Sequence, residues 1–316
     1  MQSGRTLSVV TLILVVSTLF LSALFDSLTR YYPNLPPQEE PFPRKSARHL
    51  VFAVSPACPA TYWRVSTFDY YDGFRWSSTT IKRSIEEFPK AQSDSDVKVS
   101  TVEINVTEEE VSLPVPPSRT SVSNPTLTPH RDYELHLDDM ADVYGIRIPE
   151  KGNETEIVYQ VVWHPIDYSE IDERLISLDG IPQEIRSAYL QLPSLPEEVW
   201  ELVTKLKHNS YNILDQIFAD VQYLRTYFDY DIDLWENRTT RTINRDWVFS
   251  YIKQRKGICV DAATALTVIL RCQGIPARMS FGFKSERTHG NKTYFYSTGA
   301  HAETEVYLPP YGWVGF

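Results

Sequence analysis

The sequence predicts an α+β protein: a β-rich region, then helices, then an antiparallel set of strands, all behind one apolar N-terminal helix. Three observations carry this. Residues 50–167 hold short runs that alternate apolar and polar side chains, separated by Pro, Ser and Asn clusters, the pattern of half-buried strands. After Asp167 the apolar spacing becomes helical, with stripes such as Leu214, Ile217, Phe218, Val221 and Leu224. Leu7 to Phe25 is a 19-residue stretch without a charge.

As a helix that first stretch is roughly 28 Å long, the thickness of a bilayer core. No small-x-small site of the kind a signal peptidase reads closes it, so residues 7–25 are expected to stay as a transmembrane anchor. Arg5 precedes the stretch and Asp26 follows it, which assigns residues 1–6 to the cytoplasm and everything from 26 onward to the outer side of the membrane. Residues 26–49 are rich in Pro and charge and read as an extended spacer.

Within the β-rich domain, residues 50–167, the clearest strands are Val97-Lys-Val-Ser-Thr-Val-Glu-Ile-Asn-Val and Glu156-Ile-Val-Tyr-Gln-Val-Val-Trp. The second domain is expected over 168–316. Pro196-Glu-Glu-Val-Trp opens a helix with Pro in its first turn and acids at its positive end. Asn244 is a candidate cap for a helix carrying Trp247, Val248, Tyr251 and Ile252. Cys259 begins an apolar segment that runs to Cys272 and stops at Gly274 with Pro276 beyond, the punctuation of a helix end. Ala277 to Phe283 then alternates as a strand, followed by strands at 294–297, 301–308 and 313–316.

Composition narrows the function. The 316 residues carry a net charge of -10 and no Lys/Arg-rich block, so nucleic acid is not an expected partner. Sequons at Asn105, Asn153, Asn237 and Asn291 suit a glycoprotein facing outward. With only three cysteines, Cys58, Cys259 and Cys272, this is no disulfide scaffold, and one thiol at least is unpaired within the chain.

The position of Cys259 matters chemically. At a helix N-terminus, unpaired backbone N–H groups and the helix dipole stabilise a thiolate, the form that attacks a carbonyl carbon. Such a nucleophile needs a base, and His301 on a later strand is the candidate to take the thiol proton and return it to a leaving amine. Cys58 and Cys272 read as structural: Cys272 lies about 220° around the helix from Cys259 and faces elsewhere.

The segments Gly257-Ile-Cys259-Val-Asp-Ala-Ala-Thr-Ala-Leu and Leu270-Arg271-Cys-Gln-Gly274-Ile-Pro-Ala-Arg278 resemble the nucleophile helix and first strand of the transglutaminase-like superfamily. His301-Ala-Glu-Thr-Glu305-Val-Tyr-Leu-Pro-Pro-Tyr311-Gly-Trp313-Val resembles its histidine strand and hairpin. Tyr62 to Trp76 is similar to a segment that precedes this domain in prokaryotic membrane-bound members. The resemblance implies a papain-like fold, with Cys259 and His301 at the first two triad positions. Many members have Trp where this chain has Glu303. The family's triad Asp follows the aromatic after Gly-Trp, which is the position just past Phe316, outside these residues. Glu303 and Glu305 are the acids along the His301 strand that stand as alternative orienters.

The expected activity is thiol-dependent acyl transfer or hydrolysis at protein or peptide amides, with the Cys259 N–H contributing to an oxyanion hole. Alternatives are a thiol peptidase or amidase, and a surface binding or scaffold module without chemistry. No metal is expected: Asp229-Tyr-Asp231-Ile-Asp233 lacks the glycine of a calcium loop and has Thr240 at its twelfth position, and the histidines lack ligand spacing. No glycine-rich phosphate loop is present, so no cofactor is expected.

Overall fold

The computed structural model describes residues 48–58, 60–89, 97–149, 154–207, 212–232 and 246–316. The expected anchor at 7–25, almost all of the spacer, the sequons at Asn153 and Asn237, and Asn244 lie outside them. Among the described residues no helix is long and apolar enough to cross a membrane.

The alternating runs do form strands, and most join one antiparallel sheet. Its members are β1 (Leu50–Ser55), β2 (Tyr62–Phe68), β3 (Lys98–Val106), β4 (Thr120–Val122), β5 (Thr126–Thr128), β6 (Thr155–Trp163), β7 (Ala277–His289), β8 (Lys292–Leu308) and β9 (Gly312–Gly315). The order is β2, β7, β8, β1, β3, β6, β4, with β9 paired to β8 and β5 to β6. A smaller sheet packs Arg83–Ile85, Glu134–Asp138, Val143–Arg147 and Glu110–Ser112 side by side.

Period-2 patterning decides which side chains are buried. Ser100, Val102, Ile104 and Val106 of β3 are buried on one face. Ile104 sits opposite Ile157 and Val102 opposite Tyr159 of β6, so each apolar residue meets its like. Together with Phe52, Trp63 and Phe295 they form one apolar core.

Among the described residues after Asp167 there are five α-helices: α1 (Gln183–Tyr189), α2 (Glu197–Leu206), α3 (Ile213–Tyr227), α4 (Trp247–Gln254) and α5 (Cys259–Cys272). Pro196 precedes α2, with Glu197 and Glu198 in its first turn, as expected. The cap of α4 is Asp246, whose side chain accepts the Phe249 N–H. In α3, Leu214, Ile217 and Leu224 are buried while Phe218 is half-exposed, edge-on to Tyr168 and Phe316. Helix α5 is mostly apolar and is buried nearly all round, from Cys259 to Arg271. Helices α2 to α5 share a second core with Ala277, Val306, Leu308 and Val314 from β7, β8 and β9.

Two findings go past the sequence expectations. The strands expected at 294–297 and 301–308 are one strand, β8, whose first half pairs with β1 and whose second half pairs with β9. The change at Asp167 from strands to helices is real, yet β1 and β2 from before it pair directly with β8 and β7 from after it. A buried ion cluster crosses the same seam: Arg64 of β2 reaches Glu305 of β8 at 3.0 Å, and Arg278 of β7 reaches the same carboxylate at 2.7 Å.

Candidate active site

The start of α5 is built by a glycine and an acid. Gly257 lies in a two-residue strand, Lys256–Gly257, paired in parallel with Asp229–Tyr230. The Asp261 carboxylate folds back to accept the Ile258 N–H at 2.8 Å and also accepts from the Trp247 indole. It therefore satisfies a backbone donor that the helix start leaves orphaned. A Cβ on Gly257 would sit 2.7 Å from Oδ2 of Asp261 and 2.8 Å from the Tyr251 ring, so only glycine allows this approach.

Cys259 is the first residue of α5 and is 8% exposed. Burial pushes its thiol pKa up; hydrogen bonds from the backbone N–H of Ala302 and of Val260 pull it down without cancelling the rise, and the Asp261 carboxylate adds to it. The thiol thus rests against the backbone one residue past His301.

His301 lies on β8 opposite Gly282 of β7. Gly282 is forced by the neighbouring strand: a Cβ there would lie 2.0 Å from the Trp63 carbonyl oxygen of β2, where the ladder shifts register. The imidazole is edge-on to the Tyr62 ring at 6.1 Å between centroids, and Nε2 stands 3.8 Å from Oε1 of Glu303. Lys284 Nζ is 3.5 Å from that same oxygen. Burial, with the Lys284 charge adding to it, lowers the His301 pKa to about 4. Burial raises Glu303 to about 7 despite Lys284. At neutral pH the imidazole is therefore uncharged and free to accept a proton.

Strand alternation sorts the rest. The Thr304 hydroxyl donates to the Ala263 carbonyl of α5 at 3.0 Å and meets Thr267 at 3.1 Å, so this face of β8 packs the nucleophile helix. His301, Glu303 and Glu305 take the other face. Burial pushes the Glu305 pKa up, but the Arg64 and Arg278 guanidiniums overcome it and hold the carboxyl below the usual range. Glu305 is thereby committed to the ion cluster, and Glu303 is the acid that faces His301.

Sequence reasoning missed two residues at this site. Tyr230, in the acidic stretch set aside as a calcium loop, brings its hydroxyl within hydrogen-bonding reach of the Cys259 thiol; burial, then the thiol's charge and hydrogen bond, raise the phenol pKa. Its placement depends on the parallel pairing of Tyr230 with Gly257, a contact of two short segments with no periodic signal. Lys284 follows directly on the expected strand Ala277 to Phe283, and no local pattern marks it. Cys58 and Cys272 are free thiols away from the site, half-buried against the two separate cores.

With this geometry in view, known proteins can be compared. Residues 201–316 match the profile of the Transglutaminase-like superfamily and form a transglutaminase-like domain. The uncharacterized protein YebA of Bacillus subtilis (strain 168) is 28% identical over 281 residues, covering 81% of this chain and 36% of YebA, so the chain spans about a third of that relative's length. The periplasmic domain of TgpA from Pseudomonas aeruginosa superposes with a TM-score of 0.59 at 22% identity, covering 86% of this chain and 88% of that one. The same domain bound to ethylmercury gives 0.57, also at 22% identity, covering 85% and 89%. These superpositions extend through the β-rich strands as well as the helices, and they establish a shared fold.

Proposed function

We propose that this chain, whose residues 201–316 belong to the transglutaminase-like superfamily, is a thiol-dependent acyltransferase or hydrolase acting on protein or peptide amides, with Cys259 as nucleophile and His301 as its base. The observation that carries the reading is the placement of the Cys259 thiol, at the first position of α5 and against the Ala302 N–H, one residue from His301.

The chemistry follows from the groups present. His301 takes the Cys259 proton, and the thiolate attacks the amide carbonyl carbon. First-turn N–H groups of α5, which have no partner four residues back, are available to the developing oxyanion. The C–N bond then breaks, His301 gives its proton to the departing nitrogen, and a thioester stays on Cys259. Water releases an acid, while a lysine amine gives a cross-link.

The reading includes a place for the protein. Residues 7–25 supply an apolar stretch of membrane-spanning length, and the structurally similar domain of TgpA is periplasmic. A single-pass protein with its thiol domain outside the cytoplasm fits both, with protein or peptide as substrate and no nucleic acid.

One observation favours a second reading. Burial moves both partners toward their uncharged forms, raising the thiol and lowering the imidazole, the condition of an inert, structural cysteine. A non-catalytic binding module would have this site. Iodoacetamide labelling of the full chain across pH, with adducts located by mass spectrometry, separates the two. Selective modification of Cys259 over Cys58 and Cys272, slowed at least tenfold in His301→Ala, is the expected result. A folded chain whose Cys259 never labels leaves the binding module. Product analysis with a glutamine peptide and an amine then separates hydrolysis from transfer.

A further inference from the structure

Lys284 of β7 stands where the ladder to β8 bulges. Phe283 pairs with Ala300 and Ser285 with Phe295, so Lys284 alone lies opposite residues 296–299. Bulges re-aim side chains and recur next to active sites. Ser280 pairs with Glu303 and Gly282 with His301, which puts Lys284 one step farther along the same face. Its Nζ reaches back to Oε1 of Glu303 at 3.5 Å, the oxygen that stands 3.8 Å from His301 Nε2. Ammonium and imidazole are therefore neighbours across a single oxygen atom, and Gly282 has no side chain to stand between them.

We propose that Lys284 sets the specificity of the site, its ammonium receiving a carboxylate carried by the residue whose nitrogen leaves. The inference rests on the reading of Cys259 and His301 as a reacting pair, and it names the substrate class that pair would take: amides whose leaving residue is C-terminal or acidic.

The side on which the carboxylate arrives follows from the proton. When the C–N bond breaks, its electron pair stays on nitrogen and the proton comes from His301, so the leaving residue lies on the imidazole side while the acyl group stays on Cys259 as a thioester. In a C-terminal residue the carboxyl carbon is two bonds from that nitrogen, which brings the carboxylate to the group next to the imidazole. Lys284 has 46% of its side chain exposed, so an incoming group can reach it. An ammonium has three N–H donors, and one carboxylate oxygen does not use them all. Glu303 neutralises the charge only in part, because burial raises its pKa to about 7 and it spends part of its time protonated near neutrality. The neighbouring acids are engaged elsewhere: Glu305 by Arg64 and Arg278, and Glu286 by Arg48 at 3.1 Å and by the Thr298 hydroxyl. Burial is the larger influence on both reacting groups, but the Lys284 charge acts on His301 and on the Cys259 thiol alike, as a cation beside the reacting pair would.

The test uses the full chain and two alkylating reagents of equal size, iodoacetate and iodoacetamide, with adducts located by mass spectrometry. A change in thiol reactivity moves both rates and cancels in their ratio, so the ratio at Cys259 reads the preference for an anion. Lys284→Met is expected to lower the iodoacetate to iodoacetamide ratio at Cys259 about tenfold. Lys284→Glu is expected to lower it further and Lys284→Arg to preserve it, with the ratios at Cys58 and Cys272 unchanged throughout. Protection of Cys259 from iodoacetamide then identifies the source of the carboxylate. Acetyl-Ala-Ala with a free C-terminus and acetyl-Ala-Asp amide are compared with acetyl-Ala-Ala amide. At least one of the two acids is expected to protect at about a tenth of the concentration the neutral peptide needs, and to lose that advantage in Lys284→Met. If Cys259 labels in the wild type and His301→Ala slows it, while the ratio ignores Lys284→Met or neither acid outdoes the neutral peptide, Lys284 is no more than the partner of Glu303 and the reacting pair stands without it. If Cys259 labels with neither reagent, the pair itself is wrong and the assignment of Lys284 goes with it.

Discussion

Replacing Gly257 with alanine tests how the nucleophile helix is started. In an open strand this change would stabilise the chain by about 0.4–1 kcal/mol, by narrowing the unfolded ensemble. Here the added Cβ meets the Asp261 Cβ and Oδ2 at 2.7 Å and the Tyr251 ring at 2.8 Å, contacts that force a shift and cost about 1–3 kcal/mol. The group able to move is the Asp261 carboxylate, and moving it frees the Ile258 N–H it accepts at 2.8 Å, a capping loss of about 1 kcal/mol. Two penalties outweigh one gain, for a net destabilisation of about 2–3 kcal/mol and, at this chain length, a fall in Tm of roughly 4–12 °C. Thermal melting followed by circular dichroism reads the stability. Alkylation of Cys259 reads the site, since freeing Asp261 alters the charge beside the thiol. A Gly257→Ala chain that melts at or above the wild-type temperature would show that the close approach to Asp261 and Tyr251 is not what selects glycine.

Two further outcomes follow from buried charge. Asp220 of α3 is fully buried beside Gln216 and Gln273, and burial raises its pKa from 3.8 to about 7. A carboxyl that binds its proton more tightly when folded gives stability present below about pH 4 and lost as pH rises through 7, on the order of 2–4 kcal/mol. Asp220→Asn is therefore expected to match the wild type in urea titrations at pH 4.5 and exceed it at pH 8, and a difference that ignores pH would refute this. Glu305→Gln removes the buried carboxylate that Arg64 and Arg278 share and leaves them the more exposed Asp142 at 3.8 and 3.7 Å, and is expected to cost about 3–5 kcal/mol. Arg147→Ala, which breaks the exposed pair to Glu109 at 2.9 Å, is expected to cost at most about 1 kcal/mol; equal losses in denaturant titrations would contradict that ranking.

What the sequence revealed depended on how local the signal was. Helix α5 was legible because its run is mostly apolar and Gly274 stops it, and β3 and β6 because one buried face imposes strict alternation. Cys259 and His301 stood out as a thiol at a helix start and a base on a later strand. Contacts between distant segments left no such mark. The pairing of Leu50 with Tyr296 fuses two regions that read as separate domains, and Arg64 finds Glu305 across 241 residues. Tyr230 was missed for the same reason, since a two-residue parallel pair has no period to detect. The cap of α4 fell on Asp246 where Asn244 was expected, because two capping residues in one turn look alike until the backbone fixes which of them reaches Phe249.

The long-range pairings also explain why the site cannot be carried by the helices and C-terminal strands alone. Strand β8 has two working faces: Thr304 and Val306 pack under α5, while His301, Glu303 and Glu305 face outward from that layer. The outward face is completed by β2, which contributes the Tyr62 ring beside His301 and the Arg64 guanidinium on Glu305. Without β2, Glu305 would keep Arg278 and lose Arg64, and β7 would present an unpaired edge from Met279 to Lys284, directly behind the histidine. A buried carboxylate short of one partner and an open edge strand are each costly. The β-rich strands are thus part of the structure that holds the imidazole.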